Sequence, residues 1–160
     1  MAEYSESFGL DELDKAILHA LQADGRISNA ELARRINLSP PATHARVKRL
    51  EEQRYIRQYT ALLDRDKAGY DMLCFVNVSL RIHQPEAVAK FRAIVSEMPE
   101  VLECYHITGE FDYVLKVIVP NRKALEQFVV GRLTPVPGIA RIYTSIALAE
   151  VKSTTALPLE

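Results

Sequence analysis

Apolar residues near the start of the chain recur at helical spacing. Leu13, Ile17 and Leu21 follow one another every four residues and therefore share one face of a helix. Asp11 and Asp14 lie at its beginning, where the positive end of the helix dipole favours carboxylates. The pattern predicts an amphipathic first helix.

Two further helices are predicted directly after the first. Ser28 and Glu31 have the spacing of a capping box, which would begin a second helix over about 29–36. Ser39 offers another N-cap, and Pro40 fixes φ at the first position of a third helix. Two short helices joined by a tight turn are typical of a helix-turn-helix.

The third helix is predicted to have one buried and one exposed face. Thr43, Val47 and Leu50 share the side that would pack on the first two helices. Arg46 lies near that side, where either a phosphate or an intramolecular partner would suit it. The other side would enter the major groove of DNA, and it comprises Pro41, Ala42, His44, Ala45, Lys48 and Arg49.

These exposed side chains have the chemistry for contacts to DNA. Lys48 and Arg49 can pair with guanine or phosphate, and His44 can hydrogen-bond a base or a phosphate. Ala45 can touch a thymine methyl group. Because many protein–DNA hydrogen bonds go to the backbone, no single residue is assigned a base-reading role.

The pattern changes after the third helix. Residues 55–63 are rich in β-formers and predict a wing or linker strand, whereas the polar residues 64–67 predict a hinge. A domain boundary is therefore expected near residues 64–70.

From residue 72 onward, apolar residues alternate with a period of two. Cys74, Val76, Val78, Leu80 and Ile82 would line one side of a half-buried strand. The later predicted elements are a helix from Pro85 to Pro99, strands over 101–108 and 112–119, a helix capped by Asn121, and a strand over 139–151. The order βαββαβ is that of the ferredoxin-like sandwich, so the chain is predicted to be α+β.

One face of this predicted sheet has no helix to cover it. Phe75 and Tyr143 lie on that face, which favours the packing of two sheets in a dimer. A symmetric dimer would also present two helix-turn-helix units to two half-sites on duplex DNA.

The net charge of −1 conceals an uneven distribution of charged residues. Residues 1–31 hold two basic and seven acidic residues, whereas residues 34–57 hold seven basic and two acidic ones. Such a basic block is expected of a small nucleic-acid-binding element, although a solvated helix face has the same composition.

Composition and motifs argue against several other classes of protein. The longest apolar run, residues 72–76, is far shorter than the ~18–20 residues that span a bilayer. The first residues do not have the pattern of a secretory signal, so a cytoplasmic, nucleoid-associated protein is expected. Cys74 and Cys104 are too few for a disulfide framework. Without a catalytic or metal-binding motif, we predict no enzyme, no metal and no cofactor.

Both halves together resemble the Lrp/AsnC (leucine-responsive and asparagine-responsive) family of transcription regulators. The resemblance is carried by LDELDKAILHALQADGRISNAELARRINLSPPATHARVKRLEE (10–52), YTALLD (59–64) and ITGEFDYVLKV (107–117). It implies a winged helix-turn-helix over 1–57, a hinge strand or linker over 58–70, a ferredoxin-like effector-binding and oligomerisation domain (RAM type) over 71–151, and a tail over 152–160.

The resemblance also implies partners. Family members bind promoter DNA, assemble dimers into tetramers or octamers, and commonly respond to an amino acid. The residues that match the effector site of the family are Tyr105, His106, Thr108, Gly109, Asp112 and Tyr113. Gly109 permits close approach of a ligand carboxylate, and Asp112 can accept from an ammonium group. Alternatively, Gly109 only makes the hairpin turn and Asp112 caps it.

Arg54 departs from the family pattern, which usually has glycine just before the wing. An arginine in the left-handed conformation would cost about 1 kcal/mol, so the end of the third helix is expected to differ locally. Arg54 also adds a cation near the expected DNA backbone, and we therefore include it among the DNA-binding residues.

The leading hypothesis is a sequence-specific DNA-binding transcription regulator that responds to an amino acid or a related small molecule. A ligand-independent architectural protein that coats or bends DNA would use the same basic residues. An enzyme on the ferredoxin-like half is a third class. Cys104 and His106 share one face of a strand, but no third orienting group is evident beside them.

Overall fold

The computed structural model of the chain describes residues 9–81 and 84–159. These residues form two compact units, one of residues 9–62 with 152–159 and the other of residues 63–151. We name the first the helical unit and the second the sheet unit. Ile82, predicted on the first strand, lies outside the described residues.

The helical unit contains three helices, α1 (Glu12–Ala23), α2 (Asn29–Arg35) and α3 (Pro40–Glu52). Asp11 is the N-cap of α1 and forms a complete capping box with Asp14. The backbone amide of Asp14 donates to Asp11 Oδ1 over 2.8 Å, and the amide of Asp11 donates to Asp14 Oδ2 over 3.2 Å. The helix therefore begins with two of its otherwise unpaired amides satisfied.

The starts of α2 and α3 follow the predicted caps. Ser28 accepts a hydrogen bond from the amide of Glu31 over 3.2 Å, and Ser39 caps α3 in the same way. The reciprocal half predicted for the Ser28 box is wrong, because the Glu31 carboxylate accepts hydrogen bonds from Arg34 and Arg35 instead. The buried apolar core between the three helices consists of Ile17, Leu18, Leu32, Ala33, Ile36 and Leu50.

The end of α3 shows how the chain tolerates Arg54. This residue adopts φ of 61°, so it takes up the left-handed conformation itself. Its amide donates to the carbonyl of Glu51 over 3.0 Å, and the amide of Ile56 donates to the carbonyl of Leu50 over 3.2 Å. Ile56 packs against the core. These bonds close the helix end in the manner of a glycine C-cap, at a cost of about 1 kcal/mol for the arginine.

The predicted wing or linker strand is not formed in this single chain. Residues 55–71 contain no assigned strand. The β-formers are present, but a strand also needs a neighbouring strand to receive its backbone hydrogen bonds. Leu62 and Leu63 in this segment are 77% and 81% exposed.

The sheet unit confirms the predicted βαββαβ order. Its strands are β1 (Met72–Leu80), β2 (Val101–His106), β3 (Tyr113–Val119) and β4 (Ile139–Ile146), and its helices are α4 (Pro85–Ser96) and α5 (Arg122–Glu126). A π-helical segment, Gln127–Leu133, extends α5. The strands form one antiparallel sheet in the order β2-β3-β1-β4.

Three of the predicted strand ends lie beyond the ends of the observed strands. The strands predicted over 101–108 and 112–119 meet in a turn over residues 107–112, where the amide of Ile107 donates to the carbonyl of Asp112 over 2.9 Å. The strand predicted over 139–151 ends at Ile146. The β4 ladder with β1 ends there, and the apolar residues beyond it, Leu148 and Val151, are exposed. The prediction extended too far because these residues also favour strands.

The core of the sheet unit lies between the sheet and the helices. It includes the predicted inward residues of the first strand, such as Val76 and Val78, and the large side chains Phe91 and Phe128. The opposite face of the sheet leaves Phe75, Tyr105 and Tyr143 between 40% and 59% exposed. None of the described helices is both long and apolar enough to cross a membrane.

The C-terminal segment packs on α1. The side-chain amide of Gln22 accepts from the backbone amide of Leu157 over 2.6 Å and donates to its carbonyl over 3.1 Å. Nε2 of His19 lies 2.9 Å from the carbonyl oxygen of Leu159, whose side chain packs against the helical core. Residues 152–159 therefore belong to the helical unit, although they follow the sheet unit in the chain.

Candidate DNA-binding face and effector cleft

The exposed face of α3 is the one that the sequence predicts, except that Arg49 is half-buried and pairs with Asp14. Its solvent-exposed residues include Pro41, Ala42, His44, Ala45 and Lys48, and we refer to these five as the outer face of α3. Lys48 lies 3.7 Å from Glu52 one turn later, and both side chains are 65% exposed. An exposed pair of this kind contributes little and leaves the ammonium accessible. Contact of these residues with DNA stays a prediction.

Two arginines of α3, Arg46 and Arg49, form ion pairs with Asp14 of α1. Nη1 of Arg46 donates to Asp11 over 2.6 Å and to Asp14 over 2.8 Å, and Arg49 also pairs with Asp14. Asp14 is completely buried, whereas the side chains of Arg46 and Arg49 are 28% and 42% exposed. Of the two partners that the sequence left open for Arg46, the structure shows the intramolecular one.

This cluster links the beginning of α1 to the middle of α3. Because Asp14 is buried, two cations around it offset the cost of removing its charge from water. The backbone amide of Asp14, and then the guanidinium of Arg46, lower the pKa of the Asp11 carboxyl. The bonds are directional, so the cluster sets the orientation of α3 on the rest of the unit.

Sequence reasoning missed this role of Asp14. The dipole of α1 favours an acidic residue at the start of the helix whatever lies opposite it. The available signal was the pair of arginines at positions 46 and 49, which share one side of a helix by their i, i+3 spacing. That side borders the buried face, where an arginine needs a partner.

The basic block is partly neutralised within the helical unit. Glu31 pairs with Arg34 and Arg35 over 2.8–2.9 Å, and hydrogen bonds from Arg34 and then from Arg35 lower the pKa of Glu31 to about 2. Four of the seven basic residues in 34–57 thus have a carboxylate partner from the acidic first 31 residues. Within 34–57, all of it described, no salt bridge is found for Arg54 or Arg57, and both are exposed.

The six predicted effector residues lie around the turn between β2 and β3, but their side chains do not all face the same side of the sheet unit. Tyr105 lies on the open face, where its hydroxyl donates to Glu103 over 2.8 Å. Thr108 and Gly109 are exposed in the turn between β2 and β3, and Gly109 has φ of 119°, which favours glycine. Asp112 accepts from the amide of Leu80 over 2.7 Å, so its carboxylate braces the turn against β1.

The other two residues, His106 and Tyr113, face a cleft between β2 and α4. Their rings stack with centroids 4.9 Å apart. Nε of Arg92 on α4 donates to the Tyr113 hydroxyl over 2.9 Å, and its guanidinium carbon lies 5.7 Å from the centre of that ring. The cleft has a volume of about 590 Å³, and its walls include Arg92, Val95, Val101, Leu102, Cys104, His106 and Tyr113.

Arg92 lies on α4, which only the folded chain brings beside β2. The cleft also contains Cys104. Burial raises the pKa of this thiol, and Arg92 opposes that effect by a smaller amount. A protonated thiol is a weak nucleophile. Across the described residues, no group of three potential metal ligands is found.

Both halves of the chain match known protein families. Residues 10–51 match the AsnC-type helix-turn-helix domain, and residues 73–157 match the Lrp/AsnC ligand binding domain. The leucine-responsive regulatory protein of Salmonella typhimurium is 39% identical over 151 residues, which cover 94% of this chain and 92% of that protein. The protein of the same name from Escherichia coli K12 is 38% identical, with the same coverage of both chains.

Solved structures give the same result. A transcriptional regulator of Neisseria meningitidis in complex with L-methionine has a TM-score of 0.90 and 39% identity, covering 93% of this chain and 96% of that one. The feast or famine regulatory protein of Mycobacterium tuberculosis complexed with L-methionine has a TM-score of 0.81 and 33% identity, covering 92% and 98%. AsnC of E. coli has a TM-score of 0.84 and 29% identity, covering 93% and 99%.

Proposed function

This chain belongs to the Lrp/AsnC family of transcription regulators, and we propose that it binds promoter DNA through the outer face of α3. It is a DNA-binding transcription regulator with an Lrp/AsnC-type ligand-binding domain. The observation that carries the DNA-binding proposal is the exposure of Pro41, Ala42, His44, Ala45 and Lys48 on the second helix of a helix-turn-helix.

The cations near this face differ in their carboxylate partners, and they therefore have different proposed roles. Lys48, exposed beside Glu52, is accessible to phosphate or guanine, and Arg54 lies just beyond the end of α3. Arg49 is held by its ion pair with Asp14, so its main role is to orient α3. Any contact of Arg49 with DNA would form while this pair is kept. Counterion release by the accessible cations makes the affinity for DNA fall steeply with salt.

Charge reversal at Lys48 tests the proposal. Lys48→Glu removes a phosphate contact and adds repulsion, so the affinity for promoter DNA should fall by at least about tenfold at low salt. Lys90→Glu makes the same change on the exposed side of α4 and should leave the affinity close to wild type. Equal losses in the two variants, or no loss in either, would contradict binding through the outer face of α3.

The effector is proposed to be an amino acid. The matched ligand-binding domain and the two relatives solved with L-methionine support this proposal. A ligand that binds only the folded chain raises its melting temperature. Thermal shifts with the twenty standard amino acids at millimolar concentration should therefore identify at least one that stabilises the chain and changes its DNA affinity. Uniformly negative results would favour a ligand-independent architectural protein.

We also propose that the functional form is a homodimer that assembles into a tetramer or an octamer. The open sheet face, with Phe75, Tyr105 and Tyr143 exposed, supports sheet packing between copies, and the exposed Leu62 and Leu63 give a second apolar surface. Light scattering after size exclusion measures the assembly directly. A mass of one chain at micromolar concentration would contradict it.

The proposed place of action is the cytoplasm, on the nucleoid, because promoter DNA is the proposed partner.

A further inference from the structure

We propose that Arg54 and Arg57, on the segment that follows α3, form a second contact with DNA, made to its phosphate backbone. This inference rests on the proposed binding of DNA through the outer face of α3. It adds Arg57 to the DNA-binding residues named above, and it gives a functional reason for the strained backbone of Arg54.

The backbone conformation of Arg54 is unfavourable for a residue with a side chain. Its φ is 61°, and the left-handed region disfavours residues that have a Cβ. Glycine adopts this conformation without strain and can close a helix end with the same kind of backbone hydrogen bonds. The guanidinium of Arg54 has no hydrogen bond or ion pair with any described residue that would offset the strain. Strain of this kind points to a function of the residue outside its own fold.

Arg57 is the second accessible cation of this segment. Like Arg54 it is exposed, and its side chain has no partner in the part of the chain that the structure describes. Glu52, a carboxylate just before the segment, lies 3.7 Å from Lys48 instead. Both guanidinium groups therefore keep their donors for an external anion, and their planar, forked geometry matches the oxygens of a phosphate.

The segment that bears the two arginines is fixed to the helical unit at two points. The amide of Ile56 donates to the carbonyl of Leu50 over 3.2 Å, and the side chain of Ile56 packs against the helical core. The hydroxyl of Tyr59 donates to Glu51 over 2.9 Å. Burial, and then this hydrogen bond, raise the pKa of Tyr59 to about 12, so the hydroxyl remains a donor at neutral pH. Because residues 54–59 are held in this way, binding through them costs little backbone freedom.

Continuity with the outer face of α3 identifies the DNA backbone as the partner. α3 ends at Glu52, two residues before Arg54. A recognition helix in the major groove lies between two phosphate strands, so cations just beyond its end are placed to contact phosphates and not base edges. Since phosphate contacts do not depend on sequence, the pair should raise the affinity for every duplex by the same factor.

Fluorescence anisotropy with a labelled DNA duplex of mixed sequence tests the pair. Arg54→Gln and Arg57→Gln each remove one cation, so each should weaken binding by roughly 5- to 10-fold at low salt. Each should also reduce the magnitude of the salt slope on logarithmic axes by about 0.9 for every chain bound. Lys90→Gln makes the same change at an exposed position of the sheet unit and should bind like wild type.

Two further variants of Arg54 separate its charge from its conformation. Arg54→Gly removes both the cation and the strain, so it should bind DNA as weakly as Arg54→Gln but melt at the same temperature as wild type or higher. Arg54→Lys keeps both, and its affinity should stay within about threefold of wild type. Melting temperatures measured without DNA show that each variant is folded.

The outcomes distinguish this inference from the proposed function. If Arg54→Gln and Arg57→Gln keep the wild-type affinity and slope while Lys48→Glu loses affinity, the second contact is wrong and binding through the outer face of α3 stands. A loss in only one of the two arginine variants would overturn the pair. If Arg54→Gly binds like wild type and Arg54→Gln does not, the backbone and not the cation causes the loss, and the phosphate contact of Arg54 is wrong. If wild type does not bind the duplex, the proposed function and the second contact both fail.

Discussion

The helical unit and the sheet unit are stabilised in different ways. The buried polar side chains among the described residues, Asp14 and Thr43, both lie in the helical unit. The core of the sheet unit is larger and consists of apolar side chains, together with Cys74 and Tyr113. The helical unit therefore combines an apolar core with directional bonds to a buried carboxylate, whereas the sheet unit depends mainly on non-directional packing.

This difference matches what each unit has to do. The proposed entry of α3 into a DNA groove requires that this helix keep one orientation, and the pairs of Asp14 with Arg46 and Arg49 fix it on α1. The sheet unit matches a ligand-binding domain, and its proposed association with other copies requires a stable layer of strands with an exposed face. Variants that remove one kind of support should act on one unit and leave the other intact.

The largest effect is expected from Phe91→Ala. Phe91 is completely buried in the sheet-unit core, so truncation should lower the free energy of unfolding of that unit by about 3–5 kcal/mol. Denaturant unfolding with hydrogen exchange measured on peptides of each unit checks it. Phe75→Ala, on the open face of the sheet, should lower the free energy of unfolding of a single chain much less. If Phe91→Ala reduced the protection of amides from hydrogen exchange in α1–α3 as much as in the sheet strands, the two units would not be stabilised separately.

A smaller effect is expected from Asp14→Asn. The substitution keeps the size of the side chain but removes the charge that pairs with Arg46 and Arg49, so the helical unit should lose about 2 kcal/mol. The same measurement applies, and the protection of the sheet strands should not change. Asp66→Asn, at an exposed position, is the matched control and should stay within about 0.5 kcal/mol of wild type.

Gln22→Ala tests the contact of the C-terminal segment with α1. The variant loses both hydrogen bonds to Leu157 at an exposed site, which should cost the helical unit about 1 kcal/mol. Exchange of the Leu157 amide should become faster, whereas Gln58→Ala should leave it unchanged. Unaltered exchange in Gln22→Ala would mean that the segment is held by Leu159 alone.

The smallest effect is a pH dependence at Glu31. Its pKa of about 2 lies below the usual 4.5, so its stabilising contribution is complete above pH 4.5 and is lost as the pH falls towards 2. The denaturation midpoint of the helical unit should therefore fall less between pH 5 and pH 3 in Glu31→Gln than in wild type. An equal fall in both proteins would show that the arginines do not depend on this carboxylate.

Local signals predicted much of the fold. Ser28, Ser39 and Pro40 fix where α2 and α3 begin, because a cap acts on the next three residues of the same chain. The alternation from Cys74 to Leu80 marks the buried side of β1 for a similar reason, since strand periodicity is a property of consecutive residues. The order of these elements then restricts the topology to few choices.

The features that were missed depend on residues far apart in the chain. Asp14 meets Arg49 only after α1 and α3 pack, and Arg92 meets Tyr113 only after α4 lies on the sheet. The strand predicted over 55–63 failed because composition shows β-forming residues but not whether a partner strand exists. The charge count located the basic block, yet it did not reveal that Glu31 and Asp14 neutralise part of it.

DNA binding through the outer face of α3 is tested most directly by the salt dependence of promoter binding by wild type, Lys48→Ala and Lys90→Ala. The affinity of wild type should fall linearly with salt on logarithmic axes, and Lys48→Ala should reduce the magnitude of that slope by about 0.9, the value for one lost phosphate contact. Lys90→Ala should keep the wild-type slope. An unchanged slope in Lys48→Ala, or an equal reduction in Lys90→Ala, would contradict DNA binding through the outer face of α3.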